Sequence, residues 1–534
     1  MAQRVLRSFV LGMLTVALLL AAGPYASPAH AETFAVTTTA DAPHTLPLNG
    51  TCTSTRSDHA CTLRAAVQTA NALRGGPHTI NLSAAGTYLL TVTGPGEDAA
   101  ATGDLDLNNV NVSFANTSGG TVAIDGNGAD RVFDVGPTLA AQLALSAVTV
   151  QNGSEYEGGG IRVRTASTLT LTTSTVSGNG AGGESYGSGG GIYNDGTATL
   201  TRSTVSGNGA SAVGDGAFAS GGGIANHGTL ELTDSTVSGN TAWAFSLNNC
   251  CFSAAGGGIA NYGTLTVKNS TLSGNSAQAN DCCFTSASGG GIANGGTLTL
   301  TSSTLSGNSA YTGVCCGGGG ISGGAIAQST ILANTDTNCA GVLTSRGDNL
   351  SNDASCFDND TTLNDRKDTD PLLGPLGSYG GPTKTHSLLA GSPAIDRVLH
   401  TSCPATDQRG VRRPVGDHCD IGAFESEATP PPSTTPTPTA TPLSTLTPTA
   451  TTTSTATATA IGTPTSTATS TGTPMATGTA TPTSTATPTA TGTAAATANS
   501  LVLRVSFIVP PPHSAPASPA QTASRLFLRT GRVG

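Results

Sequence analysis

Charge is scarce in this 534-residue chain: Asp, Glu, Lys and Arg together make up 10% of it, where an ordinary soluble domain carries about a quarter. The net charge is −10, and Lys268 is the only lysine before Leu350. A nucleic-acid surface needs clustered cations, so that class of partner is excluded. The charge is equally too thin for a disordered polyelectrolyte. Aromatic residues amount to 4%, with a single tryptophan. Apolar runs are missing too. Beyond Phe9–Ala22 no stretch is long enough to cross a bilayer, so no span is expected once that segment is removed. A 3.6-residue apolar period is absent almost everywhere, the exception being Cys61–Arg74.

What the chain has in excess is glycine, 70 residues, and repetition. Gly-Gly-Gly-Ile occurs six times, with isoleucines at 161, 192, 224, 259, 292 and 321, spaced 29 to 35 residues apart. Ser-Thr-Val/Leu-Ser-Gly-Asn follows five of them and decays to Ser329–Asn334. Such a period means stacked copies of one supersecondary unit. In Gly221–Asn240, residues Leu230 to Thr233 alternate apolar and polar, the pattern of a half-buried strand, and Ile224 and Val237 supply inward residues on either side. Each repeat therefore predicts three short strands separated by corners of Gly, Asn, His and Asp. Every copy presents its strands in the same order, so like stacks parallel on like. The expectation is a right-handed parallel β-helix rising about 4.8 Å per coil. Leu169, Leu171 and Val176, with their counterparts in each repeat, should form apolar columns. Asn179, Asn208, Asn240, Asn275, Asn308 and Asn334 should form a side-chain ladder at one corner.

Arg4, Arg7, the apolar run and Ala29-His30-Ala31 read as a secretory signal over 1–31, which predicts a secreted or cell-surface location. The twelve cysteines agree with export. Cys52/Cys61, Cys339/Cys356 and Cys403/Cys419 make local pairs. Cys250-Cys251, Cys282-Cys283 and Cys315-Cys316 are doublets at equivalent places in successive repeats, where one-rung separation suits a disulfide. A six-thiolate metal site is the alternative, but the CxxC spacing of such sites is missing. The helix at Cys61–Arg74, with Leu63, Val67, Ala70 and Leu73 on one face, should plug the first coil. Irregular strands are expected at Gly86–Thr93, Asp104–Phe114 and Thr121–Val135.

Cys61-Thr62-Leu63-Arg64-Ala65-Ala66 resembles the CSLREA motif of bacterial surface proteins, with Ala65 where that motif has glutamate. Asp370-Pro-Leu-Leu-Gly, Tyr379-Gly-Gly-Pro-Thr, Ser392-Pro-Ala-Ile-Asp396, Asp407-Gln-Arg-Gly410 and Cys419-Asp-Ile-Gly-Ala-Phe-Glu425 resemble the choice-of-anchor Q domain. The repeats between are similar to β-helix repeats of the pectin-lyase-like fold and of polymorphic outer-membrane proteins. The resemblance implies an exported bacterial surface protein whose closing domain precedes an anchor. The organisation that follows is a signal peptide (1–31), a cap with irregular coils (32–150), regular repeats (151–338), a closing domain (339–427), a Thr/Pro/Ala/Ser-rich linker (428–500) and a basic tail (501–534). The linker carries no charged residue and reads as an extended spacer.

Many proteins of the fold cleave acidic polysaccharides, so the residues bear on that reading. Asn334-Thr335-Asp336 matches the first motif of polygalacturonases, but the others do not follow, and it reads as a worn repeat. A lyase needs a carboxylate cluster with a basic residue; Glu231, Asp234, Asp195 and Lys268 are scattered. Asp104, Asp106, Asp125, Asp130 and Asp134 could supply calcium ligands, but solvation at strand edges is the expectation. His227 reads as a solvated turn residue. Asp396, Asp407, Arg409, Arg412 and Arg413 should knit the closing domain by ion pairs. Trp243, Phe245 and Phe252 fall in the longest inter-repeat loop; they are the candidates for stacking on a glycan, with packing against the coil the plainer account. No catalytic residue, metal site or cofactor is assigned. The expected role is non-enzymatic, adhesion or a structural surface component, with extracellular polysaccharide or other surface components as partners. A polysaccharide lyase or hydrolase, or a glycan-binding module without turnover, is the alternative.

Overall fold

The structure is a computed structural model that describes residues 31–46, 50–94, 96–246, 253–280, 286–312, 318–357, 363–399 and 403–427. The leader up to residue 30, the three cysteine doublets, Phe252, the linker and the tail lie outside the described residues.

The repeats stack as parallel coils. An eleven-stranded, a ten-stranded and a nine-stranded sheet run the length of a β-solenoid, each strand pairing in parallel with its counterpart one coil away. The coil beginning at Gly221 shows why. Ile224–Asn226, Thr229–Thr233 and Thr236–Ser238 are its three body strands. Their inward residues form the expected columns: Ile192, Ile224 and Ile259; Leu200, Leu232 and Val267; Val205, Val237 and Leu272, all buried. One coil buries only a few such side chains, each contributing roughly 1.5–3 kcal/mol. Stability therefore depends on stacking.

The Ser-Thr-Val/Leu-Ser-Gly-Asn signature turns two corners. Just before it, one residue per coil (Thr173, Arg202, Asp234, Asn269, Ser302, Ser329) takes a left-handed conformation with φ between 46° and 52°. The serine that follows bonds back across the turn: Ser235 Oγ donates to the Thr233 carbonyl at 2.8 Å, and accepts from the Ser203 backbone N–H at 3.1 Å. After the short strand, Gly239 is left-handed again, and Asn240 enters the predicted ladder. The ladder runs unbroken from Asn179 to Asn334, with amide-to-amide distances of 2.7–3.0 Å, and continues to Asn338. A second ladder, Asn194, Asn226, Asn261 and Asn294, runs at another corner with distances of 2.6–2.7 Å.

The repeat is longer than three strands. After the ladder asparagine the chain forms two more, such as Thr241–Phe245 and Ser253–Ala255, before re-entering the next coil. These stack into a six-stranded and a four-stranded sheet. Their shared interior is a cluster of alanines alone, among them Ala212, Ala219, Ala242, Ala244, Ala277 and Ala279. The result is a thin two-layer ridge along the body, because alanine permits closer approach than the usual sheet spacing of about 10 Å. Gly-Gly-Gly marks the neck where each coil closes. A Cβ on Gly222 would sit 2.3 Å from the backbone of Thr241 and 2.5 Å from the Gly257 carbonyl.

Helix α1, Leu63–Leu73, covers the first coils, capped by Thr62, whose hydroxyl accepts from the Ala65 N–H at 3.2 Å. Leu63, Val67 and Ala70 are buried as expected, but Leu73 is 39% exposed, since the helix ends there. Arg64 faces inward, fully buried. It pairs with Asp41 at 2.8 Å and donates to the carbonyls of Ala100, Gly103 and Asp104. At the other end, residues 371–399 and 403–426 fold back along the ten-stranded sheet. Gln408 is buried there and bonds Thr236, Thr271, Thr383 and the Lys384 carbonyl, while His386 bonds Ser273 at 2.9 Å. Disulfides join Cys52 to Cys61, Cys339 to Cys356 and Cys403 to Cys419.

Candidate functional site

Two groups of side chains offer chemistry beyond packing. The first is acidic. Register places Asp106, Asp134, Arg162 and Tyr193 in one column on the outer side of the nine-stranded sheet. Asp104 joins Asp106 and Asp134, so that one carboxylate oxygen from each lies within 4.8 Å of the others. These three are buried, which corrects the expectation of solvated strand edges: the segment ending at Gly103, pinned by Arg64, lies over them, and the Ala100 N–H donates to Asp106 at 3.0 Å. Arg131 pairs with Asp104 at 2.8 Å, and Arg164 grips both oxygens of Asp134, the shortest contact being 2.6 Å. Burial pushes the Asp104 carboxyl up to about 7, against the pull of Arg131, and burial together with the Asp104 charge pushes Asp106 up to about 9. The oxygens are of the kind that hold hard cations, but two guanidinium groups already occupy their charge. This arrangement knits the cap. Asp130 borders the group, accepting from the backbone N–H of Arg131 and of Asp104, while Asp125 accepts from Gln151 and Asn152.

Other acidic candidates are also engaged structurally. Asn334 belongs to the ladder, and Asp336 accepts from the Ala310 N–H at 3.1 Å. Glu231 and Lys268 form a half-exposed pair at 3.6 Å. Asp407 pairs with Arg409 at 2.7 Å and Arg413 with Glu425 at 3.7 Å, within the closing segment. Arg409 also lies 3.6 Å over the Phe424 ring. Asp396 accepts from the Gly416-flanked turn at His418 N–H, a backbone bond and not an ion pair.

The second group is aromatic and lies on the ridge. Trp243 and Phe245 belong to strand Thr241–Phe245, where a loop was expected, because the alternation of that strand is carried by Ala242 and Ala244. With the alanines facing the ridge interior, the two rings point outward, half-buried, their planes within 3° of parallel and their centroids 5.8 Å apart. Val213, the register neighbour of Phe245, is 40% exposed, and Tyr311, two coils beyond Trp243, is 60% exposed. His227 is exposed as expected, but it stacks between Tyr193 and Tyr262, at 5.2 and 4.8 Å. That stack was legible only as a corner position where successive repeats vary.

Among solved structures the chain is similar to the crystal structure of pectate lyase Pel9A, at 13% identity and a TM-score of 0.38, over 74% of this chain and 96% of that one. No family model matches the chain. No curated protein matches it. The architecture therefore rests on the strand pairing itself.

Proposed function

We propose that this protein is an exported, cell-surface β-solenoid that binds extracellular polysaccharide through its ridge and does not turn it over. The observation that carries the reading is the outward, parallel Trp243–Phe245 pair. Aromatic rings left partly in water cost apolar exposure, and sugar rings offer a C–H face to cover them. The one cluster of three carboxylates among the described residues, Asp104, Asp106 and Asp134, is buried at the cap, with arginines on Asp104 and Asp134, and so is closed to a polysaccharide. Export is supported by the leader-like residues 1–31 and by three disulfides. Surface attachment through the linker, and kinship with the CSLREA and choice-of-anchor Q families, belong to the same proposal.

The test is to incubate the purified protein with acidic and neutral polysaccharides, reading both retention and product. Saturable binding without new reducing ends or unsaturated-product absorbance is the expected result, and Trp243→Ala should abolish most of it. Release of product would replace this reading with that of a lyase or hydrolase.

A further inference from the structure

We infer that the outer face of the six-stranded sheet is a track for a neutral, unbranched, β-1,4-linked glycan lying along the solenoid axis; this rests on the glycan-binding reading above and specifies its ligand. The first ground is charge. Of its six strands only the two-residue Ser154–Glu155 carries a charged residue, the acidic Glu155; Gly180–Gly183, Gly209–Val213, Thr241–Phe245, Ser276–Asn280 and Ser309–Thr312 contain no Asp, Glu, Lys or Arg. An acidic polysaccharide needs cations to replace its counterions, and this face supplies none.

Spacing is the second ground. Register puts Ser211, Trp243, Gln278 and Tyr311 in one outward column, one coil apart. Trp243 and Tyr311 are thus two coils apart, about 9.6 Å at the usual strand spacing. That is close to the repeat of an extended β-1,4-linked chain, in which alternate pyranoses turn the same face to one side. Sugars over Trp243 and Tyr311 would both present their C–H faces. The intervening sugar would lie over Gln278, an amide able to donate and accept. Ser276 and Ser309, bonded to each other at 3.3 Å, and Thr241 form a hydroxyl row alongside. An α-linked chain coils and would leave the track after one ring.

Affinity electrophoresis and titration of the full-length protein test this with hydroxyethylcellulose, β-mannan, amylose, dextran and polygalacturonate. The expected result is binding to the first two, with Trp243→Ala and Tyr311→Ala each weakening it tenfold or more, and Trp243→Phe and Tyr311→Phe restoring most of it. A β-1,4-linked trisaccharide should be the shortest ligand bound. Circular dichroism of each variant distinguishes lost contacts from lost folding, and the phenylalanine variants keep the ring in place should the alanine variants unfold. Equal binding to amylose, or preference for polygalacturonate, overturns the track while leaving glycan binding intact. Failure to bind any of the five overturns both.

Discussion

Removing the side chain of Asn240 tests the stacked-coil geometry at its most demanding point. Asn240 is fully buried, and its amide makes four bonds. Its Oδ1 accepts from the Asn208 backbone N–H and from Asn208 Nδ2, both at 3.0 Å. Its Nδ2 donates to the Val205 carbonyl at 3.0 Å and to Asn275 Oδ1 at 2.9 Å. In Asn240→Ala, Asn208 Nδ2 keeps the Val176 carbonyl and Asn275 Oδ1 keeps the Asn240 N–H. The Asn208 N–H is left with no acceptor, and water has no path to it. One orphaned buried donor costs about 1–3 kcal/mol, and the small void adds to it, so the expected loss is about 2–4 kcal/mol. Asn294→Ala, at the half-buried end of the second ladder, should lose about 1 kcal/mol or less, because water replaces what is removed. Asn240→Asp keeps the acceptor for Asn208 but turns an oxygen toward two others, so its deficit should shrink as pH falls through the carboxylate range. Urea unfolding followed by circular dichroism measures all three. If Asn240→Ala falls within about 0.5 kcal/mol of the parent, the ladder is not a structural element of the coil and the reasoning fails.

Three further outcomes follow from the same geometry. Because Asp104 and Asp106 have raised carboxyl pKa values, near 7 and 9, the native state holds protons that the unfolded chain releases above about pH 4. Stability should therefore fall from pH 5 to pH 9, by up to about 1.4 kcal/mol per pH unit for each group, and Asp106→Asn should flatten the upper part; a rise across that range would contradict the assignment. Gly222→Ala drives a methyl into the backbone of Thr241 and should cost about 3 kcal/mol or more in thermal or urea unfolding, whereas Gly239→Ala, left-handed but with nothing within 4 Å, should cost about 1–2 kcal/mol. Gln408→Ala should release the closing segment from the ten-stranded sheet, seen as cleavage by trypsin after Lys384 at least tenfold faster, with the coil body still folded; unchanged cleavage would mean that other contacts hold the segment.

The body of the fold was legible because each position in it repeats a chemical requirement. Leu230 and Leu232 must face inward, Gly239 must take positive φ, and Asn240 must bond above and below, so the same letters recur every coil. The second ladder was equally written, as Asn two residues after each Gly-Gly-Gly-Ile isoleucine from Ile192 to Ile292, but asparagine two residues before glycine also signals an ordinary turn, and that reading hid it. The ridge was missed for a different reason. Its strands alternate alanine with serine, glycine or glutamine, a contrast too weak to register as a buried face.

That weakness is what the geometry of the ridge requires. Each ridge strand leaves the body at a ladder asparagine and its partner returns through Gly-Gly-Gly, so the two sheets begin almost touching at the neck. Larger inward residues would force them apart there, and only alanine fits. With the interior restricted to alanine, the ridge gains little from burial per coil, and variation in its sequence is pushed to the outward positions. Those are where Ser211, Trp243, Gln278 and Tyr311 stand. The acidic cluster is the converse case. Asp104 and Asp106 look like exposed strand polarity in isolation, and only the cover by the neighbouring Ala100 segment, pinned by the distant Arg64, converts them into a buried polar network. A sequence read one window at a time registers the repeat but not the long-range cover, which is why the solenoid could be drawn from the letters, whereas Trp243, Phe245 and the aspartates could be named there but their arrangement could not.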